Sequence, residues 1–369
     1  MPLEQITSLS AVLLLPWVGK FLWAPVLDLL RGPRWGYRAW ILAMQTVMAL
    51  SLIPLVWLDP VESFGVWKLL LLVHAISAAT QDVAIDALAI GAVPADERGR
   101  LNGAMQAGML VGRSVFGGGV LLVASWWGRP WVIGALIVWI LAALGAAAML
   151  REAEPPPAVS DAGEGAGSFG GALVAMMRLR STWIGLTFAL LSAAAFEATG
   201  QLAGPFPVDR GVTTQTIGLF FGLWVVGAML VGGLAGGAIS DRRGRRTTAA
   251  ASLAGFVSVM VLLALIDLGG TADATVLMAL LTVMYGCVGA FTVVSYAIFM
   301  DLTTPRLGAT QFSAFMAATN GCESWSVWSG GRLAAGYGYP TAFLVMSAVS
   351  LCGLPLLRLM RRTPSNVQH

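Results

Sequence analysis

Apolar runs of about 20 residues recur along the whole chain and are separated by short polar breaks. A helix needs about 20 apolar residues to cross the roughly 30 Å hydrocarbon core of a bilayer. The pattern therefore predicts an all-α membrane protein with eleven transmembrane helices. The predicted spans are 6–29, 39–58, 67–91, 101–125, 130–150, 181–203, 215–240, 247–268, 274–300, 310–336 and 340–360.

Composition agrees with this pattern, because 57% of the residues are hydrophobic and only 11% are charged. An average soluble domain has about 25% charged residues. The three cysteines lie in apolar runs without metal-type spacing, so we expect no metal site and no cofactor. The basic residues are scattered over loops, which excludes a nucleic-acid surface. No catalytic motif occurs in the sequence, so we expect no catalytic residue and no enzyme.

Arginine and lysine residues concentrate on alternate loops, with sixteen in one set and three in the other. Loops rich in these residues face the cytoplasm. The first set, which includes the loops around Arg31, Arg98 and Arg245, is therefore predicted to be cytoplasmic. The same rule places the C-terminus inside the cell.

Two similar segments indicate an internal repeat, "APVLDLLRGPRWGYRAW" (24–40) and "GGAISDRRGRRTTAA" (236–250). In each, an apolar helix ends in aspartate and is followed by an Arg/Gly loop and a new apolar helix. We expect an N-terminal bundle over 1–150, a cytoplasmic linker over 151–180 and a six-helix C-terminal bundle over 181–369. The repeat has no counterpart for 181–203 in the N-terminal half. We therefore expect a twelve-helix protein that lacks its first helix, and we favour an upstream start codon over truncation.

The Asp-Arg-Gly-Arg loops resemble the signature loop of the major facilitator superfamily. Within it, three stretches resemble the group of AmpG-type muropeptide permeases and acetyl-CoA transporters: "GKFLWAPVLD" (19–28), "ATQDVAIDALAIGAVPADERG" (79–99) and "PRLGATQFSAFMAATNG" (305–321). A weaker match is "AAAFEATGQLAGPFPVDRG" (193–211). The resemblance implies two pseudo-symmetric helical bundles and transport of a small solute.

This chain departs from the muropeptide permeases at three points. It lacks the basic residue expected after Asp86 and the one expected before Glu197, and it carries an additional acid, Glu323. Uptake proteins for small siderophores share the same skeleton and tolerate an apolar sequence after the second aspartate. The resemblance therefore leaves a muropeptide-like and a siderophore-like solute as equal alternatives.

Ionisable residues in the middle of predicted spans are the main candidates for the solute and ion site. A charge at the centre of a membrane helix costs about 2.5 to 3.5 kcal/mol, so each needs a partner or a wet cavity. The candidates come from five helices and predict a polar lining between the two halves, where such transporters bind solute. They are Lys20, Asp82, Arg113, Glu197 and Glu323, with Asn320 on nearly the same helix face as Glu323.

These residues have different expected roles. Lys20 either forms a permanent ion pair with Asp82 or anchors an anionic solute that breaks the pair. Arg113 is interpreted as a solute ligand, because a guanidinium suits carboxylates and phosphates. Glu197 and Glu323 have no basic residue at matching depth in their own helices, and such a carboxyl group can hold a proton near neutral pH. Glu323 or Glu197 is interpreted as the proton-coupling residue, with a hydrogen-bonded structural acid as the alternative.

A second group of residues, near the predicted cytoplasmic ends, is interpreted as a gate. Asp28 and Asp241 end apolar helices, where a carboxylate opposes the helix dipole unless cations or a facing helix N-terminus satisfy it. Breaking such contacts when the halves rock apart would bias the inward and outward states. The other predicted gate residues are Arg31, Arg38, Asp86, Glu97, Arg98, Arg242, Arg245 and Arg306.

The sequence thus favours a secondary active transporter of a small anionic or zwitterionic solute, coupled to protons and working by alternating access. Alternatives are a non-transporting membrane scaffold or assembly factor on the same fold, and an inactive truncated transporter. We expect the protein to act as a monomer in the bacterial cytoplasmic (inner) membrane. Its predicted partners are the solute, protons and the lipid bilayer.

Overall fold

The structure is a computed structural model that describes residues 12–13, 15–32, 35–119, 128–149, 169–270 and 273–360, without the side chains of Arg113, 117–119, Phe169 and Pro305. Residues 6–11 of the first predicted span, the end of the fourth span and residues 151–168 of the predicted linker lie outside the described residues. Within the described ranges the chain is helical. They contain no β-strand, only an isolated bridge between Gly32 and Trp35.

The helices follow the predicted order closely. They are α1 (Ala24–Leu29), α2 (Tyr37–Leu52), α3 (Phe64–Ala92), α4 (Arg98–Arg113), α5 (Arg129–Met149), α6 (Phe169–Arg178), α7 (Arg180–Leu191), α8 (Ala194–Leu202), α9 (Pro205–Val208), α10 (Thr214–Leu219), α11 (Val225–Arg243), α12 (Arg245–Leu268), α13 (Ala274–Leu302), α14 (Gly308–Tyr337), α15 (Tyr339–Leu351) and α16 (Gly353–Leu359). Short 3-10 turns at Lys20–Leu22 and Ile53–Val56 adjoin α1 and α2. Two π-helical segments, Ser114–Gly119 and Phe220–Trp224, extend α4 and link α10 to α11.

Glycines with positive φ separate consecutive long helices where a sharp turn is needed. Gly244, at φ 94°, lies between α11 and α12, and Gly338, at φ 83°, lies between α14 and α15. An L-residue with a side chain is strained in this region, whereas glycine adopts it readily. These two positions therefore allow one helix to end and the next to begin with a single intervening residue.

Among the described residues, eight helical segments are long and apolar enough to cross a membrane. The protein is therefore an all-helical membrane protein. The eight candidate spans are Tyr37–Val56, Phe64–Ala92, Arg129–Met149, Arg180–Leu202, Thr214–Arg243, Arg245–Leu268, Ala274–Leu302 and Tyr339–Leu359.

The described residues form two compact units. The first comprises those within Met1–Val93, Val115–Met176 and Thr303–Ala317, and the second those within Pro94–Ser114, Met177–Leu302 and Ala318–His369. Each unit thus contains a segment from both halves of the sequence. The predicted division into bundles 1–150 and 181–369 with a linker between them stays a prediction.

Each unit has its own buried core. In the first, Leu27 of α1, Ile41 of α2 and Val83 of α3 belong to one buried cluster with Ala309 at the start of α14. In the second, Phe256 and Phe291 pack with ring centroids 5.4 Å apart in a T-shaped contact. Offset and T-shaped aromatic contacts of this kind contribute about 0.5–1.5 kcal/mol beyond area burial.

Candidate functional site

A buried lysine before α1 forms an ion pair with the first aspartate of the "TQDVAID" segment in α3. The Lys20 Nζ atom lies 2.5 Å from a carboxylate oxygen of Asp82. Lys20 is only 5% exposed, whereas the Asp82 side chain is 38% exposed. An isolated ammonium is expensive to bury, so the pair explains how this apolar segment accommodates Lys20. The exposed side of Asp82 leaves the pair open to a further charged group.

Asp86 lies one turn further along α3 and also interacts electrostatically with Lys20. We call Lys20, Asp82 and Asp86 the Lys20 cluster. One ammonium thus serves two carboxylates, so the fully ionised cluster has one negative charge in excess. The Trp23 indole donates a hydrogen bond to the Thr80 hydroxyl at 3.1 Å and fastens the lysine segment to α3.

Two carboxyl groups interact in the second unit. Glu197 in α8 is half-buried and Glu323 in α14 is exposed, and their charges act on each other. In the part of the chain that the structure describes, neither forms an ion pair with a lysine or arginine. Asn320, half-buried and one turn before Glu323, accepts a hydrogen bond at its backbone carbonyl from the Ser324 hydroxyl.

An aromatic cluster adjoins this carboxyl pair. Tyr285 of α13 is 8% exposed and lies within electrostatic reach of Glu197. Its ring contacts Phe220 and Phe221, with centroids 6.4 Å and 6.1 Å away. Both phenylalanines belong to the π-helical segment, and π-turns within helices are frequent at functional sites. These residues could not be singled out from the sequence, because an aromatic residue in an apolar run resembles ordinary packing.

Asp28, at the end of α1, binds the N-terminus of α14. Its carboxylate accepts hydrogen bonds from the backbone N–H groups of Ala309 at 3.1 Å and Thr310 at 2.8 Å. It also accepts from the hydroxyl groups of Thr310 and Tyr37, each at 2.6 Å. The unsatisfied N–H groups and the positive dipole end of a helix favour a carboxylate at this position. Of the two partners considered from sequence, Asp28 therefore uses a facing helix N-terminus.

Asp241, the repeat equivalent of Asp28, makes the same kind of contact with α4. It accepts from the backbone N–H groups of Gly99 at 2.9 Å and Arg100 at 2.8 Å. A Cβ atom on Gly99 would overlap Ser240, Asp241 and the carbonyl of Gly237. Glycine at this position therefore lets the two helices approach closely enough for the contact.

Asp301 extends this contact into an ion network and was not among the residues predicted from the sequence. Arg98 donates to Asp301 at 3.0 Å, and Arg245 donates to the other carboxylate oxygen. Arg245 also lies 3.6 Å from Asp241. The repeat comparison was anchored on Asp28 and Asp241, so an acid at the end of α13 without a matching acid in the other half gave no signal.

The other predicted gate residues form no direct ion pair with Asp28 or Asp241 within the described chain. Arg31 stacks on the Tyr37 ring, 4.4 Å from its centroid, and Arg38 donates to the carbonyls of Ala147 and Ala148 at the end of α5. Three further residues are exposed and form no ion pair within the described chain: Glu97, Arg242 and Arg306. Arg113 is the last residue of α4, and its side chain lies outside the described residues.

Long apolar helices, buried ion pairs and carboxylate-capped helix ends together describe a multi-pass membrane transporter. The sequence profile of the Major Facilitator Superfamily matches residues 2–236 and 202–369. The chain belongs to this superfamily, as its motifs predicted.

Curated relatives support the same class. The anhydromuropeptide permease of Escherichia coli is 27% identical over 374 residues, which cover 94% of this chain and 71% of the permease. The AmpG 4 transporter of Rickettsia conorii is 23% identical, over 95% of this chain and 87% of its own length. These relatives are permeases and transporters rather than enzymes.

Solved structures show the same fold at low sequence identity. The Escherichia coli fucose:proton symporter superposes with a TM-score of 0.78 at 15% identity, covering 98% of this chain and 92% of its own. The proton:xylose symporter superposes with a TM-score of 0.73 at 11% identity, over 98% of this chain and 88% of its own. The chain therefore has the major facilitator fold.

Proposed function

We propose that this protein is a secondary active transporter that moves a small anionic or zwitterionic solute together with protons, by alternating access. The observation that carries the proton coupling is the Glu197–Glu323 carboxyl pair, which has no cation partner in the described chain. Two like charges in a low-dielectric environment repel each other, and protonation of either member relieves that repulsion. Proton release and uptake at this pair is then the coupling step.

We propose that the Lys20 cluster binds the charged part of the solute. Lys20 pairs with Asp82 and interacts electrostatically with Asp86, and the exposed side of Asp82 makes the cluster reachable. A solute carboxylate would compete with Asp82 for the ammonium, while a solute ammonium would neutralise the excess negative charge. Solute binding therefore changes which groups in the cluster are paired, which is what a coupled transporter requires.

The helix-end contacts of Asp28 and Asp241 supply the proposed gate. Each joins an aspartate to the N-terminus of a helix from the other half of the sequence. Several charge-assisted hydrogen bonds per contact favour the conformation in which they form. Opening requires both contacts to break, and solute and proton binding would shift that equilibrium.

The topology we propose has eleven spans. Besides the eight candidate spans, the three further spans are the segment that ends at Leu29, the segment 98–119 and α14. Polar and charged residues such as Asn320, Glu323 and Arg332 make α14 less apolar than its neighbours, as expected for a helix that lines a polar pathway.

We propose that the protein is a monomer in the bacterial inner membrane and that its C-terminus faces the cytoplasm. A C-terminal fluorescent reporter that is active only in the cytoplasm tests the orientation, and a dark fusion contradicts it.

The solute class is tested by binding and transport with defined compounds. The relatives named as anhydromuropeptide permease and AmpG transporter make an anhydromuropeptide the first probe, with ferric siderophores as the second. We expect one class to raise the thermal unfolding temperature of the purified protein. That compound should also enter proteoliposomes when the outside is made acidic, and a protonophore should stop accumulation. Accumulation that persists with the protonophore contradicts proton coupling, and binding without transport favours a scaffold role.

A further inference from the structure

A cavity of about 500 Å³ lies within the second unit between α11, α12 and α13. Most of its wall consists of small apolar residues, including Gly232 and Gly236 of α11 and Gly286 of α13. α11 and α13 cross closely here, because a Cβ atom on Gly236 would collide with Ala290. The α11–α13 crossing and α12 therefore border a crevice whose lining consists mostly of small residues.

Polar groups line the cavity at the end where α11 finishes and α12 begins. Arg243 is exposed there and forms no ion pair with a carboxylate in the described chain. Thr248 lies nearby, with its hydroxyl donating to the Gly244 carbonyl. Ser252, one turn deeper, is only 9% exposed and lines the cavity. The cavity thus has an apolar body, a cation without an ion-pair partner in the described chain at its mouth, and hydroxyl groups along one wall.

We propose that this cavity binds an anionic phospholipid, with an acyl chain in the crevice and the phosphate at Arg243 and at Thr247, an exposed lining residue in the first turn of α12. Both flanking segments, Thr214–Arg243 and Arg245–Leu268, are candidate membrane spans, so the mouth of the cavity lies at a membrane boundary. A guanidinium at that boundary attracts an anionic headgroup and binds its phosphate oxygens directly. Glycine and alanine walls let an acyl chain lie against the backbone. An inorganic phosphate ion would fill only a small part of the volume, whereas a lipid fills both the charged and the apolar part.

The test measures lipid that stays bound to the full-length protein after extraction from vesicles of phosphatidylcholine with phosphatidylglycerol, read by native mass spectrometry. We expect the wild type to retain phosphatidylglycerol in preference to phosphatidylcholine. Arg243→Gln should lower that retention by roughly tenfold, as loss of a charge-assisted contact predicts. Arg358→Gln, which removes the same charge from an exposed position at the end of α16, should leave it unchanged.

A second pair of variants tests the crevice independently of charge. Ala251→Phe places a large side chain at a lining position of α12 and should abolish retention. Ala254→Phe places the same side chain at an exposed position of α12 outside the lining and should not. If Arg243→Gln fails to fold, the two alanine variants still test whether the cavity binds lipid.

Three results would overturn the proposal. They are equal retention in Arg243→Gln and Arg358→Gln, equal retention in the two alanine variants, and displacement of the lipid by inorganic phosphate at low concentration, which would indicate a site for a soluble anion.

Discussion

Single residues in this protein join segments that are far apart in the sequence. Asp28 reaches Ala309 and Thr310 through its carboxylate, and Asp241 reaches Gly99 and Arg100 in the same way. Each carboxylate accepts hydrogen bonds from N–H groups in the first turn of a helix, which have no acceptor within that helix. The stability of the two contacts therefore depends on a few hydrogen bonds that substitution can remove one at a time.

Replacing Asp28 by asparagine tests the first contact. Asparagine keeps one acceptor oxygen but turns an N–H₂ group toward donors from Tyr37, Ala309 and Thr310. A buried donor without an acceptor costs about 1–3 kcal/mol, so we expect a lower thermal unfolding temperature in detergent. Asp96→Asn, at an exposed position, is the matched control. Equal unfolding temperatures for the two variants would show that the Asp28 contact contributes nothing.

Replacing Gly99 by alanine tests the second contact by a steric change that leaves the charges unaltered. The added Cβ atom would overlap Ser240 and Asp241, so the helix must shift and the Asp241 hydrogen bonds must lengthen. Overpacking of this kind costs about 1–3 kcal/mol. Gly108→Ala, on the same helix with open space around the new atom, should not destabilise. The comparison is made by thermal unfolding, and similar curves for both variants would contradict the close approach.

At the scale of helices, the apolar pattern predicted positions well. The expected span 274–300 is observed as Ala274–Leu302, and 247–268 as Arg245–Leu268. The length of an apolar run is fixed by the bilayer, so this information is local in the sequence. The π-helical segment at Phe220–Trp224 was not predicted, because apolar residues surround it without interruption and the change of hydrogen-bond register leaves no compositional trace.

Contacts between helices were only partly predictable. The repeat identified Asp28 and Asp241 as related positions and suggested helix N-termini as partners. It did not give the role of Asp301, because an acid that pairs with Arg98 and Arg245 depends on how three helix ends meet in space. Both interpretations of Lys20 from the sequence include its pair with Asp82, but only the structure shows how deeply the lysine is buried.

The crossing of α11 and α13 gives a prediction at the same scale. Gly232 lies so close to Gly286 that a Cβ atom would collide with the Gly286 carbonyl. We expect Gly232→Ala to lower stability by about 1–3 kcal/mol, because the two backbones must separate. Gly227→Ala, in open space on the same helix, should have little effect. Denaturation midpoints measured in one detergent compare the two, and equal midpoints would contradict tight crossing.

In the molecule as a whole, the proposed proton coupling requires the carboxyl pair to connect proton movement with solute movement. Solute exchange across a membrane needs only binding and the conformational change, whereas accumulation against a gradient also needs the proton. A variant without the carboxyl groups should therefore lose accumulation while exchange continues. This separates coupling from folding, because a misfolded protein performs neither.

The decisive measurement compares exchange and accumulation of the identified solute in proteoliposomes. We predict that Glu197→Gln and Glu323→Gln each reduce accumulation driven by an acidic outside by at least about tenfold, while exchange in the absence of a gradient stays near the wild-type rate. Glu62→Gln, at an exposed position between α2 and α3, should match the wild type in both assays. Accumulation that persists in the double variant Glu197→Gln and Glu323→Gln would contradict the proposed coupling.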